Sequence, residues 1–150
     1  MAFTSFMEQA LIEARAAATR GEVPVGAVLV SPEGTVLASD GNRTRAGCDP
    51  TAHAEIQVIR AACRVLGTER LPDCDLYVTL EPCAMCAAAI AAARIARLYY
   101  GAADPKSGGV AHGARVFAHP QAHHVPEIYD GLAASASEDL LKAFFAARRG

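Results

Sequence analysis

The hydrophobic and polar positions of the first forty residues follow a helical period and then an extended one. Apolar residues recur at helical spacing over residues 4–20, and Ser5 with Glu8 forms a capping box at the start of that segment. A continuous apolar run over residues 23–30 indicates a buried strand, and residues 35–38 resume an extended pattern after a turn. The pattern therefore predicts an amphipathic helix followed by a β-hairpin.

The middle of the chain predicts a second helix and a further strand. Thr51 can cap a helix that carries His53 in its first turn and ends at Gly67. Residues 75–80 alternate aliphatic side chains with tyrosine and threonine, as a strand does, and Pro82 ends that strand.

The last part of the chain predicts two more helices and a short strand. Residues 83–94 are rich in alanine and strongly helical, and residues 97–101 are a short apolar strand. Residues 116–130 do not match the pattern of any one element. Ser135 with Glu138 caps a final helix, whose apolar stripe consists of Leu140, Leu141, Phe144 and Phe145. Alternating strands and helices predict an α/β sandwich around one mainly buried sheet.

Length and composition are those of an ordinary globular domain. The chain has 150 residues, 52% apolar and 20% charged, with neither an internal repeat nor a linker, so we expect one domain over residues 1–150. Its apolar runs are too short to span a bilayer and no signal peptide is visible, which favours a cytoplasmic protein without a membrane partner. Five cysteines, two of them in a metal-binding spacing, argue against a disulfide framework.

The charge pattern gives no support to a nucleic-acid partner. The net charge is −2, and basic and acidic residues are mixed in every third of the chain. Because RNA-binding surfaces are usually basic, charge alone argues mildly for a small substrate.

One group of residues indicates metal chemistry. His53, two residues before Glu55, is followed about thirty residues later by Pro82, Cys83 and Cys86. Zinc binds imidazole nitrogen and thiolate sulfur, and three protein ligands leave a fourth position for water, as in catalytic zinc sites. The cysteine spacing places both sulfurs on one face of a helix N-terminus, where we expect both to be thiolates.

A redox cysteine pair or a structural zinc knuckle could use the same cysteine spacing. A redox pair does not need the histidine and the glutamate, and a knuckle needs a fourth ligand that Cys48, Cys63 and Cys74 do not supply at a regular spacing. The whole pattern also matches the H-x-E…P-C-x-x-C signature of zinc nucleobase deaminases. We therefore predict a catalytic zinc held by His53 and the two cysteines Cys83 and Cys86.

The glutamate in this pattern is the candidate general base. Two thiolates neutralise the zinc charge, so a bound water is acidified less than under three imidazoles and needs a nearby base. Glu55 lies two residues after His53, about 200° away around a helix axis, so it reaches the water from another side without binding the metal. The other interpretation is a solvated helix glutamate.

Further polar residues are weaker candidates. Asn42 lies in a loop after the second strand and can read both a donor and an acceptor on a base edge, although spacing alone favours an ordinary turn asparagine. The metal set is complete without the other histidines, which are His112, His119, His123 and His124.

Over nearly all of its length, the chain resembles the bacterial tRNA adenosine deaminase family. The zinc motif alone places it in the wider cytidine deaminase superfamily, whereas Leu80-Glu81-Pro82-Cys83 and Asp104-Pro105-Lys106 are more specific to the tRNA branch. The segments that carry the resemblance are residues 22–28, 49–55, 76–86, 101–106 and 144–149.

The resemblance implies a three-layer sandwich of the cytidine deaminase-like type, in which helices flank a five-stranded mixed sheet. It also implies one Zn²⁺ per chain, a homodimer, and a tRNA anticodon stem-loop as substrate, with the wobble adenosine converted to inosine. By position, Asn42 matches the family's base-reading asparagine, and Asp104 and Lys106 match a loop that contacts nucleotides beside the target. Arg148 and Arg149 match a helix end that touches RNA.

The expected reaction is hydrolytic. Glu55 accepts a proton from the zinc-bound water, hydroxide attacks C6 of adenine, and Glu55 protonates N1 and the departing amine. One alternative is a deaminase of free nucleobases or nucleosides, acting on guanine or cytosine with the same metal chemistry. Another is a non-enzymatic RNA-binding or zinc-stabilised scaffold, which would not need Glu55.

Overall fold

The protein alternates helices and strands along the chain. A computed structural model describes residues 3–149, without the side chain of Arg149. The helices are α1 (Met7–Thr19), α2 (Ala54–Leu66), α3 (Ala84–Ala93) and α4 (Ala134–Arg149), with a short 3₁₀ helix at Val116–Ala118. The strands are β1 (Gly26–Val30), β2 (Val36–Gly41), β3 (Asp75–Leu80), β4 (Arg97–Ala102) and β5 (Glu127–Tyr129).

The five strands form one mixed sheet in the order β2-β1-β3-β4-β5. Strand β1 pairs antiparallel with β2 and β3, whereas β3, β4 and β5 are parallel to one another. Helices α1 and α4 pack on one face, and α2 packs on the other beside α3. The predicted three-layer sandwich with a five-stranded mixed sheet is confirmed. No helix among residues 3–149 has the length and apolarity needed to cross a membrane.

Both faces of the central strands are buried, because each face is covered by helices. On β3, Leu76 and Val78 pack into the core beneath α2 and α3, while Tyr77 packs against α1 on the opposite face. Contact with α1 is close: a side chain at Gly26 of β1 would collide with the backbone of Ala10. The side chains that alternate along residues 75–80 therefore pack into two different hydrophobic cores, one on each face of the sheet.

The first strand is shorter than predicted. Val25 N–H donates to the carbonyl of Val23 at 2.8 Å, and Pro24 between them has no N–H to give to a strand ladder. The ladder therefore begins at Gly26, while β2 continues past its predicted end to Gly41, the partner of Gly26.

The predicted helix starts are shifted by local hydrogen bonds. Helix α1 begins at Met7, whose N–H donates to the hydroxyl of Ser5 at 3.1 Å. Glu8 does not complete the predicted capping box and instead lies 3.7 Å from Arg15.

Two other predicted caps are wrong. The hydroxyl of Thr51 donates to Asp49 at 2.7 Å instead of capping α2, which begins at Ala54. Ser135 lies within the first turn of α4 and not ahead of it. Strand β5 lies in the stretch that matched no pattern, because its three side chains are all exposed and leave no alternation to read.

Candidate active site

Two helix N-termini converge on the predicted metal ligands. His53 is the N-cap residue of α2, with φ −69° and ψ 156°, and Cys83 is the N-cap residue of α3, with φ −71° and ψ 174°. Cys86 lies in the first turn of α3 and is fully buried. His53 was predicted inside the first turn of its helix, but its extended backbone places it one residue before that turn.

The three side chains stand at the spacing of a tetrahedral zinc site. Nδ1 of His53 lies 3.6 Å from Sγ of Cys83 and 3.5 Å from Sγ of Cys86, and all three donor atoms lie within 4.8 Å of one another. Bonds of about 2.0–2.1 Å to nitrogen and about 2.3 Å to sulfur at tetrahedral angles separate the two atoms by about 3.6 Å. The donor set therefore fits zinc in chemistry and in geometry.

The pKa values of the two cysteines move in opposite directions. Hydrogen bonds from Cys86 and His53 lower the pKa of Cys83 to about 4, against the effect of burial. The hydrogen bond with Cys83, together with burial, raises the pKa of the Cys86 thiol. Without a cation between them, two neighbouring sulfur anions repel each other, so only one of the two thiols ionises readily. A cation among the donors is what favours both thiolates.

Glu55 lies beside the three donors without being one of them. It occupies the second position of α2 and is 4% exposed. Burial raises its pKa to about 7, against the effects of its own backbone N–H and of His53. The 200° expected between two residues of one helix does not apply to this pair, because His53 precedes α2, and both side chains line one cleft.

That cleft has a volume of about 240 Å³, below the roughly 300–1,000 Å³ typical of pockets for drug-sized ligands, so it suits a single base. Its lining comprises Val23, Val25, Asn42, Thr44, His53, Glu55, Leu80, Glu81, Cys83, Asp104 and Ser107. A second cleft of about 520 Å³ shares Val23, Leu80, Asp104 and Ser107 with it and extends to Lys106 and Phe145. The smaller cleft, whose lining includes the buried Asn42 and Glu55, is called the deep cleft and the larger one the broader cleft, and the two adjoin each other.

Asn42 supplies the hydrogen bond that Thr51 was predicted to make. Its Oδ1 accepts the N–H of Ala54, the first residue of α2, at 2.8 Å. Because the carbonyl oxygen of Asn42 accepts this hydrogen bond, its amide N–H₂ group is the part of the side chain that remains to donate to a ligand in the cleft.

A buried carboxylate that sequence reasoning did not select holds one wall of the cleft. Glu81 accepts N–H groups from Asp104, Val110, Ala111 and His112 at 3.0–3.1 Å, and its Oε1 lies 2.8 Å from Nδ1 of His112. Burial would raise the pKa of Glu81, but these hydrogen bonds lower it. In the sequence, the feature that could have identified Glu81 is its position as an acidic residue directly after an apolar strand.

A second buried carboxylate holds another part of the cleft lining. Glu22 accepts the hydroxyl of Thr44 and the N–H groups of Arg45 and Ala46 at 2.8–3.3 Å. These hydrogen bonds lower its pKa against the effect of burial. The loop after Asn42 is therefore fixed at the edge of the cleft.

The other predicted residues fall into two groups. Asp104 lines both clefts, Lys106 lines the broader one, and Arg148 lies on α4 with its guanidinium 3.6 Å above the ring of Phe144. Arg149 ends α4, but its side chain lies outside the described residues. All five cysteines are free, which agrees with the absence of a predicted disulfide framework.

The sequence and the fold are similar to those of known deaminases. The cytidine and deoxycytidylate deaminase zinc-binding region matches residues 3–102. A tRNA-specific adenosine deaminase of Agrobacterium fabrum is 62% identical over 146 residues, covering 97% of this chain and 95% of the relative. A structure solved in studies of A-to-I editing by tRNA:A34 deaminases at the wobble position of transfer RNA is 64% identical, with a TM-score of 0.89, covering 91% of this chain and 98% of that one.

A guanine deaminase of Bacillus subtilis is a more distant match. It is 32% identical, with a TM-score of 0.67, covering 100% of this chain and 96% of that one. Both sequence and shape are thus nearer to the tRNA deaminases than to this enzyme for a free base.

Proposed function

Since the chain belongs to the family of tRNA-specific adenosine deaminases, we propose that it converts the wobble adenosine of a tRNA anticodon loop to inosine. The observation that carries the proposal is the buried Glu55 beside a zinc-spaced trio of donors, in a cleft sized for one base. The non-enzymatic scaffold does not account for that carboxylate, whose burial is costly.

We propose one Zn²⁺ per chain, held by His53, Cys83 and Cys86. Zinc in such a set acidifies a water molecule and makes it nucleophilic at neutral pH. The two cysteine sulfurs and the imidazole are supplied from two helix N-termini, whose partial positive charge stabilises the thiolates. The protein fixes all three donors on rigid elements, so few degrees of freedom are lost when the metal binds.

Glu55 moves the protons of the reaction. Its carboxylate takes a proton from the attacking water, and the water oxygen adds to C6 of adenine. Glu55 delivers this proton to N1. It then takes the proton of the new C6 hydroxyl and passes it to the departing amine, so that the C6–N bond breaks, ammonia leaves and inosine remains. Burial supports this exchange because it brings the carboxyl pKa close to neutral pH.

The two clefts suit a base removed from its stack and a neighbouring nucleotide. Anticodon loops are single-stranded, so the target base leaves the loop at little cost in base pairing. The amide of Asn42 donates to an acceptor on the base edge, while Asp104 and Lys106 contact the neighbouring nucleotides in the broader cleft. Arg148 and Arg149 contact the RNA backbone.

We also propose a homodimer whose RNA site draws on both chains. Exposed Met85, Ala88 and Ala92 form a stripe of small and flexible residues on α3, and a hollow of about 600 Å³ lies between α3 and α2. Such a stripe permits close approach of a second copy. The chain acts as a single cytoplasmic domain over residues 1–150.

A direct assay separates this function from deamination of a free base. The purified protein is incubated with anticodon stem-loops that carry adenosine or guanosine at the wobble position, and in parallel with free guanine and cytosine. We expect inosine in the adenosine stem-loop, detected by mass spectrometry. Efficient release of ammonia from guanine, with the stem-loop unchanged, would replace the tRNA function by the free-base one.

A further inference from the structure

Three arginines converge on the rim of the deep cleft. Arg45 donates from Nη1 to the carbonyl of Gly21 at 3.3 Å, and Arg20 donates from Nη2 to the carbonyl of Asn42 at 3.1 Å. A Cβ at Gly21 would lie 3.5 Å from Nη2 of Arg148 and 4.0 Å from Nη1 of Arg45. These two nitrogens are therefore at most 7.5 Å apart, the sum of the two distances. We name Arg20, Arg45 and Arg148 the arginine cluster.

The charge of the arginine cluster is not neutralised by ion pairs among residues 3–149. Carboxylate partners are found instead for Arg15, Arg43, Arg60 and Arg97. One carboxylate, Glu22, lies close by, but it is buried and its oxygens accept the bonds from Thr44, Arg45 and Ala46. Three exposed positive charges thus face one buried negative charge, although the whole chain carries a net charge of −2.

A purely structural explanation covers part of the cluster. Arg20 is the C-cap residue of α1, and Arg148 lies in the last turn of α4, where arginine stabilises the negative end of a helix dipole. Arg45 lies on no helix, and helix dipoles do not require the guanidinium groups of Arg45 and Arg148 to meet at Gly21. Because like charges at this separation repel, their convergence favours an anion between them.

The position of the arginine cluster beside the two clefts indicates which anion it binds. Asn42, whose carbonyl binds Arg20, lines the deep cleft, as does Thr44, which directly precedes Arg45. Phe145, three residues before Arg148, lines the broader cleft. A chain that places one base in the deep cleft therefore runs its backbone past the cluster.

We propose that Arg20, Arg45 and Arg148 form a single binding surface for the phosphates of the RNA strand, which supplies affinity without base specificity. This inference rests on the proposed function, and it explains how an acidic protein binds RNA through a local basic surface. It adds Arg20 and Arg45 to the expected contacts.

The test compares RNA binding of the zinc-loaded protein with that of charge-removing variants over a range of salt concentrations. Arg20→Gln and Arg45→Gln should each weaken binding of an anticodon stem-loop and lower the slope of log affinity against log salt by about 0.7–0.9. The double variant should lower the slope by about twice as much. Single-turnover rates at saturating RNA are measured alongside, so that a loss of affinity is separated from a loss of chemistry.

Two further variants serve as controls. Arg64→Gln removes one exposed charge near the end of α2, about 16 Å along the helix from His53 at about 1.5 Å per residue. It should leave the slope unchanged. Arg45→Lys keeps the charge and should retain most of the slope. Thermal unfolding of every variant checks that Arg20→Gln has not displaced the loop at Asn42.

The outcomes separate the inference from the function on which it rests. If the stem-loop is deaminated while Arg20→Gln and Arg45→Gln match Arg64→Gln in affinity and slope, the arginine cluster is not a phosphate-binding surface. If the wild-type protein does not deaminate the stem-loop, the proposed function itself fails. Competition with adenosine monophosphate distinguishes a free nucleotide from a polymer backbone. Displacement of RNA by equimolar monophosphate, lost in Arg45→Gln, would overturn the assignment to RNA.

Discussion

Oδ1 of Asn42 accepts the N–H of Ala54 at 2.8 Å, so one side chain both begins helix α2 and lines the cleft. The bond spans twelve residues of sequence and fixes the loop after β2 to the helix that carries Glu55 and follows His53. The position of the amide proposed to bind the base is therefore coupled to the position of the proposed metal donors.

Two substitutions at this residue separate its two roles. Asn42→Asp keeps an oxygen for the N–H of Ala54 but removes the donor, so we expect near wild-type stability and a large loss of turnover. Asn42→Ala removes both groups and should also lower the free energy of unfolding by about 0.5–2 kcal/mol, as lost N-caps do. Chemical denaturation and single-turnover deamination measure the two effects. Full activity in Asn42→Asp would exclude the amide as a substrate donor.

Removal of one metal donor should remove the metal. We expect about one zinc per chain in the purified protein, and Cys86→Ala should lose it because two ligands hold zinc poorly. Elemental analysis and a chelator titration give the stoichiometry. Cys74→Ala, at a buried cysteine outside the donor trio, is the matched control and should keep its zinc. Full zinc occupancy together with activity in Cys86→Ala would contradict the assignment of the ligand.

The residue types of the site could be predicted from the sequence, but their exact positions relative to the helix starts could not. The spacing of His53, Cys83 and Cys86 was sufficient to predict the donor trio, because zinc ligands are limited to a few residue types. The helix starts were misplaced by one to three residues. For α2 the reason is that Asn42, from a distant loop, rather than Thr51 caps the helix. Such a partner depends on the folded topology, which local patterns do not contain.

The anchors of the cleft walls were missed for a related reason. Glu22 and Glu81 are buried charges whose hydrogen-bond partners are mostly backbone N–H groups. The sequence does not show which backbone N–H groups will lie beside a carboxylate in the folded chain. Strand β5 was missed because its side chains are exposed. The resemblance to a family, rather than periodicity, supplied the number of strands.

Stability should fall in acid as the wall anchors become protonated. The pKa of Glu22 is lower in the folded chain than its usual 4.5, so its stabilising effect is complete above about pH 4.5 and is lost as pH falls through the folded pKa. Glu22→Gln places an amide donor against backbone donors and should cost about 1–3 kcal/mol at neutral pH.

The difference in stability between wild type and Glu22→Gln should therefore shrink as pH falls below 4.5. Urea unfolding at several pH values measures it. Glu33→Gln, at an exposed turn residue, is the control and should behave as wild type. A difference that is constant from pH 7 to pH 3 would exclude the buried carboxylate as the titrating group.

The proposed dimer can be disrupted on the surface of α3. Ala92 is exposed, so Ala92→Glu should leave the fold of one chain intact while placing a charge in the interface. We expect a shift from dimer to monomer in light scattering at micromolar concentration, together with loss of activity on RNA. Val65→Glu, at a side chain that is 65% exposed on α2, is the control. A fully active wild-type monomer would remove the second chain from the RNA site.

The role of Glu55 is tested by removing its carboxylate while retaining the metal. Glu55 lies outside the donor trio, so Glu55→Gln should keep zinc, fold and RNA affinity. A single residue that performs several proton transfers contributes at least the roughly 10²–10⁴-fold of one general acid–base group, so turnover of the stem-loop should fall by at least that factor. Single-turnover deamination at saturating RNA measures the chemical step apart from binding, and elemental analysis verifies the zinc. A rate within a few-fold of wild type, with zinc intact, would assign proton transfer to another group.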